Sequence, residues 1–269
     1  LRVRLMALSA KPTSYTVNTG HAKCPDHLYM LDDSTAATNC NDGVGSLDLT
    51  ADATSMWNTD ATYGQILRFV SASSQKAISG NTFAATSGIC LVTIARSTDA
   101  TNPAGVQAVA GVGHNSTANT YAATRLSTAG ALQSVARYSG GTTFTATLSG
   151  DVYDGTWHMF ASKISQSTGS DGQLKQSLDG GSWDAGTPVT THGITTLGFN
   201  RLALGCQPQS VLSSFFNGDA LASFVYLDDY AAWDDAWIAS LWADPWQFLT
   251  TTTTIFPQYG RRANTLLRM

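Results

Sequence analysis

The stretch Asp151-Val152-Tyr153-Asp154-Gly155-Thr156-Trp157-His158 sets two carboxylates, a phenol, a hydroxyl and an imidazole close together in the chain. Such groups perform general acid–base and nucleophilic chemistry when the fold brings them within hydrogen-bond reach. A carboxylate pair flanking a glycosidic bond would suffice for its hydrolysis. Three Asp pairs are available: Asp151/Asp154, Asp228/Asp229 and Asp234/Asp235. Each also has a structural reading. The first sits in an Asp-Gly turn, the second at a strand exit, and the third at a helix start, where Asp caps. All 19 acidic residues are Asp and none is Glu, so any mechanism that requires Glu is excluded. His21, His27, His114 and His192 are scattered and make no His-x-x-x-His pair. There is no Gly-x-Ser-x-Gly elbow and no phosphate-cradling glycine loop. No catalytic residue, cofactor or metal ligand is therefore assigned.

Binding is a different matter. A glycan is held by aromatic faces and by amide or carboxylate hydrogen bonds on loops. Trp57, Tyr121 and Trp183 are the aromatic residues nearest to loop positions and are the candidate glycan contacts. Trp183 follows the Asp179-Gly180-Gly181 turn directly. The competing reading is that each packs against an edge of the fold.

The elements that would position these residues are strands. At 269 residues the chain suits one large all-β domain. Charged residues make up only 13%, and the abundant Gly, Ser, Thr and Ala fit paired sheets. Gly64–Val70, Ile89–Arg96, Val106–Val112, Tyr121–Leu126, Leu132–Tyr138 and Thr142–Leu148 follow at short spacing with turn residues between them, the pattern of a sandwich or barrel. Ile89–Arg96 is nearly continuous in apolar residues and should be covered on both faces. Trp57 falls in a polar loop. Thr156–Ala161, Gln173–Leu178, Asn200–Gly205 and Phe215–Tyr226 supply the back half. One helix is expected over Ala236–Ala243, capped by Asp234, stapled by Trp233 and Ile238, and stopped by Asp244-Pro245. Residues 1–14 read as an N-terminal arm, 15–249 as the domain and 250–269 as a C-terminal extension, with Thr250–Ile255 extended.

The net charge of −4, without a basic stripe in the body, argues against a nucleic-acid partner. Basic residues gather at the ends, at Arg2, Arg4, Arg261, Arg262 and Arg268. They are either solvated tails or contacts to an acidic partner. No run reaches the length of a membrane span, and the apolar stretch near Leu5 is too short for an export signal. Cys90 and Cys206 lie in apolar strands as buried thiols. Cys24 and Cys40 flank a polar loop, either as free thiols or as a pair.

The ordered set Asp154-Gly155-Thr156-Trp157-His158, Leu178-Asp179-Gly180, Arg201-Leu202-Ala203-Leu204-Gly205, Phe216-Asn217-Gly218 and Leu241-Trp242-Ala243-Asp244-Pro245-Trp246-Gln247-Phe248 resembles the laminin-G-like, concanavalin A-like jelly rolls. The likeness covers roughly residues 15–249. It implies an all-β, two-sheet antiparallel jelly-roll sandwich with one short C-terminal helix. It also implies that His158 is a hydrogen-bonded framework residue. Glycosidases of that family use Glu pairs, which this chain lacks. Family members often bind calcium at a loop rim, which would fall to Asp32, Asp33, Asp42 and Asp60; the alternative is that these serve their turns. The closing helix and Asp-Pro-Trp-Gln-Phe resemble lectin-fold proteins carried by tailed bacteriophages. That resemblance implies a non-enzymatic virion protein (capsid decoration, head fibre or tail-associated), with other virion proteins as partners through the arms. Glycans are the second expected partner, self-association is a further expectation, and no membrane partner is expected. The runner-up is a carbohydrate-binding adhesion module with no structural role, followed by a glycan-active enzyme.

Overall fold

The computed structural model describes residues 8–251, apart from 81, 86 and 100–102. The expected fold class holds: two large antiparallel sheets stack as a jelly-roll sandwich, with one helix, Asp235–Ala243, at the C-terminal end. From edge to edge the first sheet runs Phe144–Leu148, Leu132–Arg137, Tyr121–Leu126, Gln107–Gly113, Arg201–Leu204, Ala77–Ser79, Leu49–Ala51, Asn39–Cys40. The second runs Val189–His192, Gly172–Leu178, His158–Ser165, Gly88–Ser97, Gly218–Leu227, Gly64–Phe69, Trp57–Asp60, and His27–Tyr29 also pairs with Gly218–Leu227.

Strand alternation sorts side chains between two cores. Between the sheets lie Leu67, Phe69, Leu91, Phe160, Leu202 and Val225. On the outer face of the second sheet a separate cluster joins Val92, Ile94 and Phe224 to Trp233, Trp237, Ile238 and Leu241 from the helix region and to Trp246 and Phe248 beyond it. Gly88–Ser97 is therefore covered on both faces for most of its length, as its continuous apolar run predicts.

The helix begins as expected. Asp234 is extended and its carboxylate accepts the Trp237 N–H at 2.7 Å. Asp235 also reaches outward, accepting from Trp183 N at 2.9 Å and from the Ser182 hydroxyl at 2.7 Å, which ties the loop after Gly172–Leu178 to the helix. That loop opens with Asp179 and Gly180 both at positive φ, the requirement of a type I′ turn. Gly180 has a second reason to be glycine, because a Cβ there would lie 2.5 Å from Trp242 Cβ.

Trp57 departs from expectation. It opens the edge strand Trp57–Asp60 instead of lying in a loop, and its ring enters the core between the sheets. Burial of a large ring outweighs the polar residues that follow it. Of the C-terminal extension, Leu249–Thr251 forms a two-stranded ribbon with Tyr15–Val17; the rest of Thr250–Ile255 and the clustered arginines at both ends lie outside the described residues. Of the N-terminal arm, the described part packs on the body. Lys11 is buried, and its ammonium donates to the carbonyls of Met30, Gln65 and Leu221. Trp246 Nε1 donates to Ser9 O at 3.1 Å. The four cysteines are thiols, with Cys40, Cys90 and Cys206 buried and Cys24 half-buried, so the Cys24–Cys40 pair does not form. Among the described residues no helix is long and apolar enough to cross a membrane.

Candidate functional site

The Asp154–His158 stretch folds into a compact hydrogen-bond unit at the start of His158–Ser165. His158 Nδ1 lies 2.8 Å from Asp179 Oδ2, and Nε2 lies 3.0 Å from Thr156 Oγ1 and 3.2 Å from Asp154 Oδ1. A hydroxyl, an imidazole and a carboxylate in this order match the spacing of a nucleophile, its base and an orienting group. The proton inventory denies that role. Thr156 Oγ1 spends its single proton on Asp154 Oδ1 at 2.8 Å, so it is only an acceptor toward the ring. A carboxylate stands beside each ring nitrogen, Asp179 at Nδ1 and Asp154 at Nε2, which favours the protonated ring, and a protonated ring is no base. Burial pulls the His158 pKa down, but the hydrogen bond and charge of Asp179, followed by those of Asp154, outweigh it and hold the pKa above its ordinary value of 6.5. For Asp154, burial works upward, and hydrogen bonds from Thr156 and His158 leave its pKa below the usual range. The expected framework histidine is this one, satisfied on both ring nitrogens.

Beside this unit, three strands place charge in one row. On the outer face of the second sheet, Gly88–Ser97 presents Cys90, Val92, Ile94 and then Arg96 at every second position. Gly64–Phe69 presents Ile66 and then Arg68. Between them, Asp219 of Gly218–Leu227 is the direct neighbour of both arginines, paired in register with Arg68 and with Arg96. A bulge between Ala220 and Ala222 makes this possible. It shifts the alternation by one residue, so that Asp219 faces outward although Ala222, Phe224 and Tyr226 do as well.

Asp219 is fully buried and binds both guanidinium groups. Arg68 Nε and Nη2 reach it at 2.7 and 3.1 Å, and Arg96 Nε and Nη2 at 3.1 and 2.9 Å. Arg96 Nη1 reaches Asp60 at 3.1 Å. Its guanidinium carbon stands 4.6 Å over the Trp157 ring, which in turn meets Tyr63 edge-on. The Trp157 ring packs against the outer-face cluster with this cation stacked on it. Around this row opens a cleft of about 550 Å³, lined by Arg68, Arg96, Asp99, Tyr153, Asp154 and Asp219 among others. The Arg68 side chain is 42% exposed and so is that of Asp154; these are the charged groups a ligand meets first. Tyr153 is held by its hydroxyl donating to Ser127 O at 2.9 Å.

The three aromatic residues singled out from the sequence lie apart from this cleft and from each other. Trp57 is in the inter-sheet core with Nε1 donating to Ala37 O at 2.8 Å. Tyr121 packs with Ala108, Ala123 and Val135 on the outer face of the first sheet. Trp183 is 1% exposed beneath the helix, its Nε1 donating to Asp234 O at 3.1 Å. The packing alternative describes all three. Trp183 does line a second cleft, of about 400 Å³, but there the Lys163 ammonium stands 4.9 Å from its ring and 4.3 Å from that of Tyr230.

The front-half aspartates serve turns. Asp42, whose side chain is wholly buried, accepts the N–H groups of Leu28, Val44, Gly45 and Leu47 and lies 2.6 Å from His27 Nδ1. Asp60 accepts from Thr62 and Tyr63 N–H, Asp33 from Asn41, and Asp32 from the Tyr15 hydroxyl. Among the described residues no group of three or more His, Cys or Asp could hold a metal ion.

No protein-family model matches this chain, and no curated protein matches it. Solved structures do share its fold. A structure of botulinum neurotoxin type C, described as entering cells in dependence on two ganglioside molecules, superposes with a TM-score of 0.53 at 10% identity, over 86% of this chain and 51% of that one. A Ruminococcus gnavus IT-sialidase CBM40 bound to α2,3 sialyllactose matches 58% of this chain and 83% of its own, at 19% identity and a TM-score of 0.41. A heptameric SAP-like pentraxin from Limulus polyphemus matches 62% and 74%, at 9% identity and a TM-score of 0.45. At these identities the likeness is one of fold, a lectin-like jelly roll.

Proposed function

We propose that this chain is a non-enzymatic glycan-binding module that uses the cleft beside Trp157. One observation carries the reading: a partly exposed guanidinium group, Arg68, and a partly exposed carboxylate, Asp154, share a solvent-filled cleft whose walls are fixed by paired charges and hydrogen bonds. A sugar hydroxyl both donates and accepts, so it needs a carboxylate and a cation held rigidly at short range. The cleft has both. The lectin-like fold points in the same direction. In a glycan-array screen the purified protein should bind a defined saccharide set. The Arg68→Ala/Asp154→Ala double variant should bind at least about tenfold more weakly, since charge-assisted hydrogen bonds contribute about 1.5–3 kcal/mol each. Silence of the wild-type protein across bacterial and animal glycans would sink the proposal.

A second, compatible reading is that the module is a virion component held to other virion proteins by its two extensions. It is favoured by the pairing of Tyr15–Val17 with Leu249–Thr251, which ties the first and last described strands into one ribbon. Removing residues 1–7 and 252–269 should then abolish co-sedimentation with particles while leaving glycan binding intact. Unchanged co-sedimentation would remove the arms from that role.

A further inference from the structure

We infer that the ligand of this cleft is a neutral polyhydroxylated sugar and that carboxylate-bearing sugars are excluded; this deepens the glycan-binding reading and rests on it. Two arginines facing a cleft would ordinarily suggest an anion site, because guanidinium groups bind carboxylates through a two-pronged edge. Here the Nε/Nη2 edge of each is closed, and what Arg68 keeps for the cleft is its Nη1 side. Arg68 spends Nε and Nη2 on Asp219, and Arg96 spends the same two atoms on the same carboxylate, with its Nη1 on Asp60. The protein has already supplied the anion that these cations bind.

The remaining charge is negative. Asp99, Asp154 and Asp219 line the cleft against two arginines, and Asp60 stands directly behind Arg96. A ligand carboxylate would therefore meet an excess of like charge at a few ångströms, where repulsion is strong in a partly desolvated site. To reach the Nε/Nη2 edges it would also have to displace Asp219, which is fully buried.

Hydroxyl groups fit where a carboxylate does not. Asp154 Oδ1 accepts from Thr156 N, Thr156 Oγ1 and His158. Oδ2 takes part in none of these contacts and belongs to a side chain that is 42% exposed. It is an acceptor for a sugar hydroxyl. Arg68, exposed to the same degree, donates to a second one. Gly155, at positive φ with nothing within 4 Å of where a Cβ would stand, leaves the approach to Asp154 open.

The test is titration calorimetry and array binding of the full chain with matched glycans, neutral oligosaccharides against the same cores carrying a terminal sialic or uronic acid. Neutral glycans should bind, and the acidic cap should weaken binding at least about tenfold. Binding of the neutral set should change less than about twofold between low and high salt, because no net ion pair forms. Asp154→Asn should reduce affinity for neutral glycans about tenfold; circular dichroism and a thermal melt check that the variant is folded, and Arg68→Gln offers the same readout from the opposite wall. Preference for the acidic members, with binding that collapses in salt, would overturn this inference while leaving glycan binding standing. Failure to bind either set would overturn both.

Discussion

The outer face of the second sheet has two ends, built from the same strands and finished in opposite ways. Along Gly88–Ser97 the outward row is Cys90, Val92, Ile94, Arg96; along Gly218–Leu227 it is Tyr226, Phe224, Ala222 and, past the bulge, Asp219. The apolar end is sealed by the helix and the Trp cluster, beside which Lys163, Trp183 and Tyr230 line the second cleft. The charged end has no such cover, so its stability comes from carboxylates and guanidinium groups satisfying one another. A sheet face exposed beyond its covering helix must become polar, and polarity held rigidly is what a binding site requires. The two ends should therefore fail differently when cut.

The largest effect is expected at Asp219. Asp219→Ala leaves two guanidinium groups facing each other across one strand without the carboxylate that both bind. Removing one partner of a buried pair costs about 3–5 kcal/mol, and the partial exposure of Arg68 and Arg96 puts Asp219 at the lower end of that range. Chemical denaturation should read a loss of that size, and glycan binding should fall with it because Arg68 is no longer fixed. A loss under about 1 kcal/mol would mean that the row is surface charge with no structural weight, and the contrast between the ends would collapse.

At the sealed end the corresponding cut is Ile238→Ala. Ile238 is fully buried between the helix and the sheet. The expected cost is about 3 kcal/mol from lost transfer energy and the cavity left behind. Here glycan affinity should stay unchanged, because the cavity opens at the far end of the strands from Arg68 and Asp154. Loss of binding in a folded Ile238→Ala protein would show that the ends are coupled.

Much of the first core was legible in the sequence, because period-two alternation and turn residues are local signals. Tyr121–Leu126 was read to the residue, and the Asp234 cap with its Trp233–Ile238 staple positions was read from a few adjacent letters. The charged row was not. Arg96 and Asp219 are 123 residues apart, and their meeting depends on a bulge that no local pattern announces. The one available hint was an arginine ending a row of outward apolar residues in Ile89–Arg96. Trp57, Tyr121 and Trp183 illustrate a related point, since each ring is buried and none lines the cleft beside Trp157. Proximity to a turn in sequence says little about which way a ring points, and large rings bury more area than any loop can offer them elsewhere. Trp57 was taken for a loop residue because polar letters surround it, yet Asn58 and Thr59 are what an edge strand puts beside a buried ring.

The smallest effect is the most diagnostic of the boundary between the ends. Burial lowers the pKa of His158, but the hydrogen bonds and charges of Asp179 and Asp154 outweigh it and hold the pKa above 6.5. A group whose folded pKa is raised binds its proton more tightly in the native state. Its contribution to stability is complete below the unfolded value and disappears as pH rises through the folded one. The stability of the wild-type protein relative to His158→Gln, where no proton is exchanged, should therefore decline as pH is taken from about 6 upward; the difference cancels the opposite contribution of His192, whose pKa burial lowers. Asp154→Asn should shrink the slope without abolishing it, since Asp179 contributes more to the shift. If that difference instead grew with pH, the folded pKa of His158 would lie below its unfolded one and the ring would be neutral in the native state. The imidazole would then be free to accept a proton from Thr156, and the case for a binding site over a catalytic one would have to be rebuilt from that hydroxyl.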